Sequence, residues 1–276
     1  MSAPRWSRGR AAPITDRLAD GVLLACGLLS LLTVAALAAV FGGQLIEAAR
    51  LGTQPTLWPL LTGTLLVTTI ACAVALPLGL LSAIYLSEFA SPSAKRLLCP
   101  ALELLAGIPT VALGYFALAT LSPLLQPLVP GLGRLSALSA GLVVGILIMP
   151  VVVSMSGKAL RVVPDAQREG ALALGADRLA ATFRVVLPAA WPGIAAAMVF
   201  ATGRALGETM IVAIAAGHHP QLTIDPRAPV ETMGAWIVHT RPDTAPDSGL
   251  FVVGAALLGL TLTASHLGRR LAGRPA

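Results

Sequence analysis

The stretch "GRALGETM", Gly203 to Met210, places an arginine and a glutamate inside an otherwise apolar run from Trp191 to Gly217. On a continuous helix Arg204 and Glu208 share one face, roughly 6 Å apart along the axis. A guanidinium offers a planar fork of donors that matches a phosphate or a carboxylate. Glu208 then either holds the guanidinium when no solute is present or, if protonated, donates to a phosphate oxygen. The competing reading is a self-neutralising pair that locks helix packing, although Arg before Glu is the weaker order on an isolated helix. A charge at the bilayer centre costs about 2.5–3.5 kcal/mol on insertion scales, so such residues face a bundle interior or a cavity. Gly203, Gly207, Ala197, Ala201 and Ala205 leave room for close helix approach or for a solute.

The elements that must position this pair are membrane spans. The chain is 56% hydrophobic and 12% charged, with a mean hydropathy of +0.82. Soluble domains carry about 25% charged residues, so a water-soluble fold is excluded. Stretches of roughly 20 apolar residues cross the hydrocarbon core as helices. Six qualify, at about 21–41, 60–86, 97–120, 138–157, 192–217 and 249–267. The alternation of a membrane β-barrel is missing, and the first run is too long for a signal-peptide core and reads as a retained helix.

The net charge of +6 orients the protein rather than pointing to nucleic acid. With the N-terminus inside, the cytoplasmic segments hold Arg5, Arg8, Arg10, Arg17, Lys95, Arg96, Lys158, Arg161, Arg168, Arg178, Arg184, Arg269, Arg270 and Arg274. The outer loops hold only Arg50, Arg134, Arg227 and Arg241. This positive-inside bias places both termini in the cytoplasm. The expected organisation is a basic tail at 1–20, a transmembrane domain at 21–267 and a second basic tail at 268–276. Prolines and glycines within the spans (Pro77, Gly79, Gly107, Pro109, Gly114, Pro150) predict kinks.

Other chemistries find little support. Cys26, Cys72 and Cys99 are widely spaced within apolar spans and read as buried small hydrophobes. "MSGKAL" around Lys158 lacks both the earlier glycine and the following Ser or Thr of a phosphate-binding loop. His218 and His219 are adjacent and have no partners at ligand spacing, so no metal site is read. Glu103 lies near the inner end of the third span, where a gating role has weak support. No nucleophilic triad or carboxylate pair suggests an enzyme.

The inner connection at about 158–191 is the most informative segment. "VVPDAQREGALALGADRLAATFRVVLPAAWPG" predicts a helix starting at Pro164, a stop at Gly175, and a second helix from Asp177 to Leu187 that ends at Pro188. Asp165 and Glu169 suit the early turns of the first helix. Small apolar side chains on a cytoplasmic loop read as a docking surface for another protein.

Glu169, Gly170, Ala171, Gly175, Leu187 and Pro188 resemble the signature of ABC importer permeases: E-A-A, three residues, Gly, nine residues, Ile, one residue, Leu-Pro. Gly170 replaces an Ala and Val185 the Ile. "GRALGETM", "ALPLGLLSAIYLSEFAS" (75–91), "ELLAGIPTVALGYFAL" (103–118) and "ILIMPVVVS" (146–154) further resemble PstC-like phosphate transport permeases over about residues 58–267. The resemblance implies an all-α integral membrane protein with about six helices of the type I importer fold. It implies an ATPase-coupling loop at Glu169–Pro188 and a translocation role for Arg204 and Glu208. The implied partners are a PstA-like sister permease, two ABC ATPase subunits that bind ATP and Mg, and an extracytoplasmic phosphate-binding protein. No cofactor is expected in this chain, which would sit in a bacterial inner membrane. A permease for molybdate, sulfate or a polyamine, or a proton-linked secondary transporter, are the alternatives. A short first outer loop and the His-bearing "AGHHPQLTID" (216–225) depart from the family and bear on binding-protein contacts.

Overall fold

A computed structural model describes residues 14–51, 57–240 and 247–271. All regular structure among them is helical. The chain divides into two units, Met1–Gly52 and Thr53–Ala276. The first consists of α1 (Ile14–Leu51), a helix of 38 residues. At about 1.5 Å per residue it is roughly 57 Å long, more than a bilayer needs. Apolar side chains along it, such as Leu23 and Leu31, are exposed, as expected of a helix whose solvent is lipid. Helix begins at Ile14, inside the stretch expected as a leading tail. Arg5, Arg8 and Arg10 lie outside the described residues.

The second unit is built around α2 (Leu57–Ile84) and α6 (Ala137–Val162). Without a hydrophobic drive between helices in lipid, small residues must bring the backbones close. A Cβ on Gly145 would stand 3.0 Å from the Ala71 carbonyl oxygen, and one on Gly141 would stand 2.7 Å from Ile70. Val67, Ala71, Val143, Val144, Leu147 and Ile148 are buried along this seam. Pro77 and Pro150 sit inside their helices without ending them.

The third expected span is broken. α3 (Pro92–Ala106) and α4 (Thr110–Phe116) meet at a 93° bend around Gly107–Pro109. Pro109 contributes no N–H and disfavours a helical Ile108, while the Gly107 N–H closes α3 on Glu103 and Leu104 carbonyls. After a π-helical turn at Ala117–Leu121 comes the short α5 (Ser122–Leu125). Five helical stretches among the described residues are long and apolar enough to cross a bilayer, and the bent pair would make a sixth.

The loop 158–191 and the span after it also differ from expectation. α7 (Asp165–Ala173) ends at the turn around Gly175, and α8 (Arg178–Ala181), a π-helical turn at Thr182–Val186 and α9 (Leu187–Leu206) then form one unbroken helical run. Pro188 thus opens α9 instead of ending a helix. The widened turn, in which the Leu187 N–H reaches back to the Thr182 carbonyl, makes room for the proline ring. Similar turns precede Pro92 and Pro123. The run then stops at Gly207, well before the expected residue 217, and a short α10 (Met210–Ala215) follows.

α11 (Met233–His239) and α12 (Asp247–Leu271) complete the unit. α12 carries the helix past residue 267, into the stretch expected as a second tail. One end of the unit gathers Leu60, Met233 and Val253, and Ser136 and Ala137 there donate to the Ala215 and Ala228 carbonyls. The opposite end gathers Ile84, Leu86, Leu160, Val163 and Val186. Within this unit the two groups of connections therefore fall at opposite ends, as alternating crossing requires.

Candidate functional site: a charged cleft and a clamped projecting loop

Arg204 and Glu208 do not share a helical face. Arg204 lies in the last turn of α9, where the helix dipole favours a cation. Gly207 caps that helix with its N–H on the Gly203 carbonyl at 3.2 Å. Glu208 lies beyond the cap, and its Oε1 accepts from the Ile211 N–H at 3.3 Å, satisfying a free donor of α10. Among the described residues no ion pair joins the two charges. The intrahelical lock is thereby corrected: two residues of broken helix follow from the glycine at 207.

The two side chains nevertheless meet one space. Phe200, Gly203, Arg204, Gly207, Glu208, Thr261 and Ser265 line a cleft of about 460 Å³ between α9 and α12. Arg204 is exposed and Glu208 half-buried. Thr261 spends its hydroxyl proton on α12 carbonyls, Leu258 at 2.9 Å among them, which leaves its oxygen as an acceptor. A free guanidinium at a helix end, facing a wall of hydroxyls and one carboxyl, can receive an oxyanion without first breaking a salt bridge.

The loop signature is built as a rigid projection. The Gly175 N–H donates to the Leu172 carbonyl at 3.0 Å and the Ala176 N–H to the Ala171 carbonyl at 3.1 Å. These two bonds close α7 in a Schellman cap, which requires the left-handed backbone that Gly175 adopts at φ +88°. Asp177 caps the next helix by accepting from the Ala180 N–H at 2.6 Å. α7 buries none of its residues; Leu172 is half exposed, and Leu174 is 91% exposed. Glu169 and Gly170 are exposed, Ala171 and Leu187 half-buried, and Pro188 exposed.

What holds this projection was not read from the sequence. Arg168 donates through Nη1 to the Val163 carbonyl at 2.6 Å and to Asp165 Oδ1 at 2.9 Å. Through Nη2 it donates to the Leu160 carbonyl at 2.7 Å and Glu88 Oε1 at 3.3 Å. One guanidinium thus satisfies the open C-terminus of α6 and links α7 to the end of the α2 run. Arg178 adds a cation–π contact over Phe89, its Cζ 5.5 Å from the ring centroid. The signal was available: Glu88 is an acid closing an apolar run, and such a group needs a cation nearby.

His218, set aside because His219 beside it lacks ligand spacing, comes together in space with Glu231 and His239. Burial pushes the Glu231 carboxyl up from its usual range, against the opposing pull of His239 and His219. His218 is pushed down, first by burial and then by His239 and His219.

Membrane-length helices, a charged cleft in the bundle wall and a clamped projecting helix at one end define an integral membrane transport subunit. The chain belongs to the family of binding-protein-dependent transport system inner membrane components, whose sequence model matches residues 75–272. It is 33% identical over 224 residues to a probable ABC transporter permease protein, YqgH, of Bacillus subtilis, covering 78% of this chain and 71% of that protein. It is also 33% identical over 219 residues to the phosphate transport system permease protein PstC of Mesorhizobium japonicum, covering 72% and 66%. A bacterial alginate ABC transporter, crystallised with its alginate-bound periplasmic protein, contains a chain of the same fold, with a TM-score of 0.68 and 17% identity over 95% of this chain and 97% of that one. The protein is thus an ABC importer permease, a transport component and not an enzyme, and a stand-alone secondary carrier is set aside.

Proposed function

We infer that this chain is a PstC-like permease subunit that passes inorganic phosphate across a bacterial inner membrane. The single observation carrying the solute is the cleft in which Arg204 and Glu208 face the hydroxyl-bearing wall of α12. A phosphate suits it because the guanidinium fork donates to two oxygens at once and the hydroxyls of α12 stand across the cleft. Relatives that are phosphate transport permeases by name support the same solute. A sister permease, two ATPase subunits and an extracytoplasmic phosphate-binding protein complete the proposed machine. ATP and Mg belong to the ATPase subunits, and both termini of this chain face the cytoplasm.

In this reading α7 seats in an ATPase subunit. Arg168 and Arg178 carry its movement to Glu88 and Phe89 at the end of the α2 run and to the end of α6. Access to the cleft then alternates between the two sides. Uptake of labelled phosphate in cells carrying Arg204→Ala tests the site, with labelled sulfate and molybdate as competitors. Loss of phosphate uptake at normal expression is expected; wild-type uptake would remove Arg204 from the pathway.

A further inference from the structure

We propose that His218, Glu231 and His239 form a binding site for a divalent transition-metal ion of the zinc class, at the end of the second unit opposite α7. One ligand atom from each residue lies within 4.8 Å of the others. Nδ1 of His239 stands 3.5 Å from Glu231 Oε1 and Nδ1 of His218 stands 3.9 Å from it. A tetrahedral zinc with bonds of about 2.0–2.2 Å holds its ligand atoms about 3.4 Å apart. Closure therefore asks for shifts of up to about an ångström, because the widest pair stands as much as 4.8 Å apart, and the two imidazoles supply most of it. These can move, because their side chains are about half exposed.

The second observation is the carboxylate itself. Glu231 is 3% exposed, and its Oε1 has no hydrogen-bond partner. A buried carboxylate is kept either by a partner or by a metal. Both imidazoles bring Nδ1 to the same oxygen, but only as long contacts of 3.5 and 3.9 Å. The two rings stack with centroids 4.3 Å apart and an interplanar angle of 19°, so they must tilt apart for both in-plane lone pairs to meet one ion. Glu231 is held from behind: Val230 donates to the Ala216 carbonyl, and the Met233 N–H donates at 3.0 Å to the buried Thr64 hydroxyl of α2. The least mobile ligand is thus the anionic one, and the two neutral ligands close on it. His₂Glu with an open fourth position for water is an established zinc donor set. The ion would tie the segment after α10 to both ends of α11, a function separate from the Arg204 cleft.

The test uses the full-length chain in detergent, purified without a polyhistidine tag and stripped with a chelator. Titration with Zn²⁺ against a competing indicator is expected to show one site per chain of micromolar affinity or tighter. His218→Ala and His239→Ala should each weaken it at least about tenfold, and His219→Ala should leave it unchanged. Co²⁺ in place of Zn²⁺ should give the intense visible absorption of a tetrahedral site, lost in His239→Gln. Both imidazoles are half exposed, so their variants are expected to keep the wild-type elution profile and helicity. Glu231→Gln is a further variant, with His239→Gln standing in if it fails to fold. No uptake by the wild type, or uptake retained by the His218→Ala/His239→Ala double variant, would overturn the proposal.

Discussion

Replacing Arg168 with alanine should release α7 from the membrane domain without unfolding the bundle. The two bonds to the Leu160 and Val163 carbonyls, at 2.7 and 2.6 Å, are charge-assisted, and each contributes about 1.5 kcal/mol or more. The pair with Glu88 adds to this because that carboxyl is 11% exposed. The pair with Asp165, whose side chain is 85% exposed, adds little. The two carbonyl bonds alone sum to about 3 kcal/mol, which at about 1.4 kcal/mol per tenfold shifts the docked-to-undocked ratio by roughly a hundredfold or more. α7 is only 9 residues long, and a free helix of that length is marginal in water, so undocking should also melt it. Amide hydrogen exchange of residues 165–176 reads this directly. Protection there should fall by roughly a hundredfold, while α2 and α6 amides in the central seam keep theirs. Arg168→Lys keeps the charge but loses the fork, and should restore only part of the protection. Unchanged exchange at 165–176 in Arg168→Ala would refute the clamp and the force path drawn through it.

Two further substitutions probe the backbone. Gly175→Ala forces a Cβ into the left-handed cap at φ +88°; it should cost about 1–2 kcal/mol and raise exchange in α7, whereas Gly175→Trp should also abolish stimulation of ATP turnover in the assembled transporter. Gly145→Val should lower the thermal midpoint of the purified chain, because its Cβ would stand 3.0 Å from the Ala71 carbonyl oxygen and overpacking of this kind costs about 1–3 kcal/mol. Gly259→Val on α12, where nothing lies within 4 Å of an added Cβ, is the matched control.

Much of the architecture was legible because lipid leaves the backbone few options. Every polar main-chain group must be satisfied within its own segment, so apolar runs near 57–84, 137–162 and 249–268 announce helices directly. The loop motif was legible for a local reason too. Gly175 is needed for a left-handed cap, and Asp177 for the N-cap that follows it, and both are decided within a few residues.

Proline was the weaker guide. The same residue type breaks the chain at Pro109, passes unnoticed at Pro150 and follows a π-helical turn within a continuing helical run at Pro188. The outcome depends on whether a π-helical turn upstream or a neighbouring glycine takes up the missing hydrogen bond, which is settled by packing. Gly207 ended α9 for a similar reason, and so Arg204 and Glu208 line one cleft from either side of a broken helix.

By itself the sequence determined the membrane, the helical class and the short projecting helix, because each follows from local composition or from bonds spanning a few residues. Only the tertiary structure decided which charges meet. Arg168 reaches Glu88 across 80 positions, and His218 reaches Glu231 and His239 across the turn before α11. Such pairings depend on where helices cross, and side-chain spacing along the chain carries no record of that.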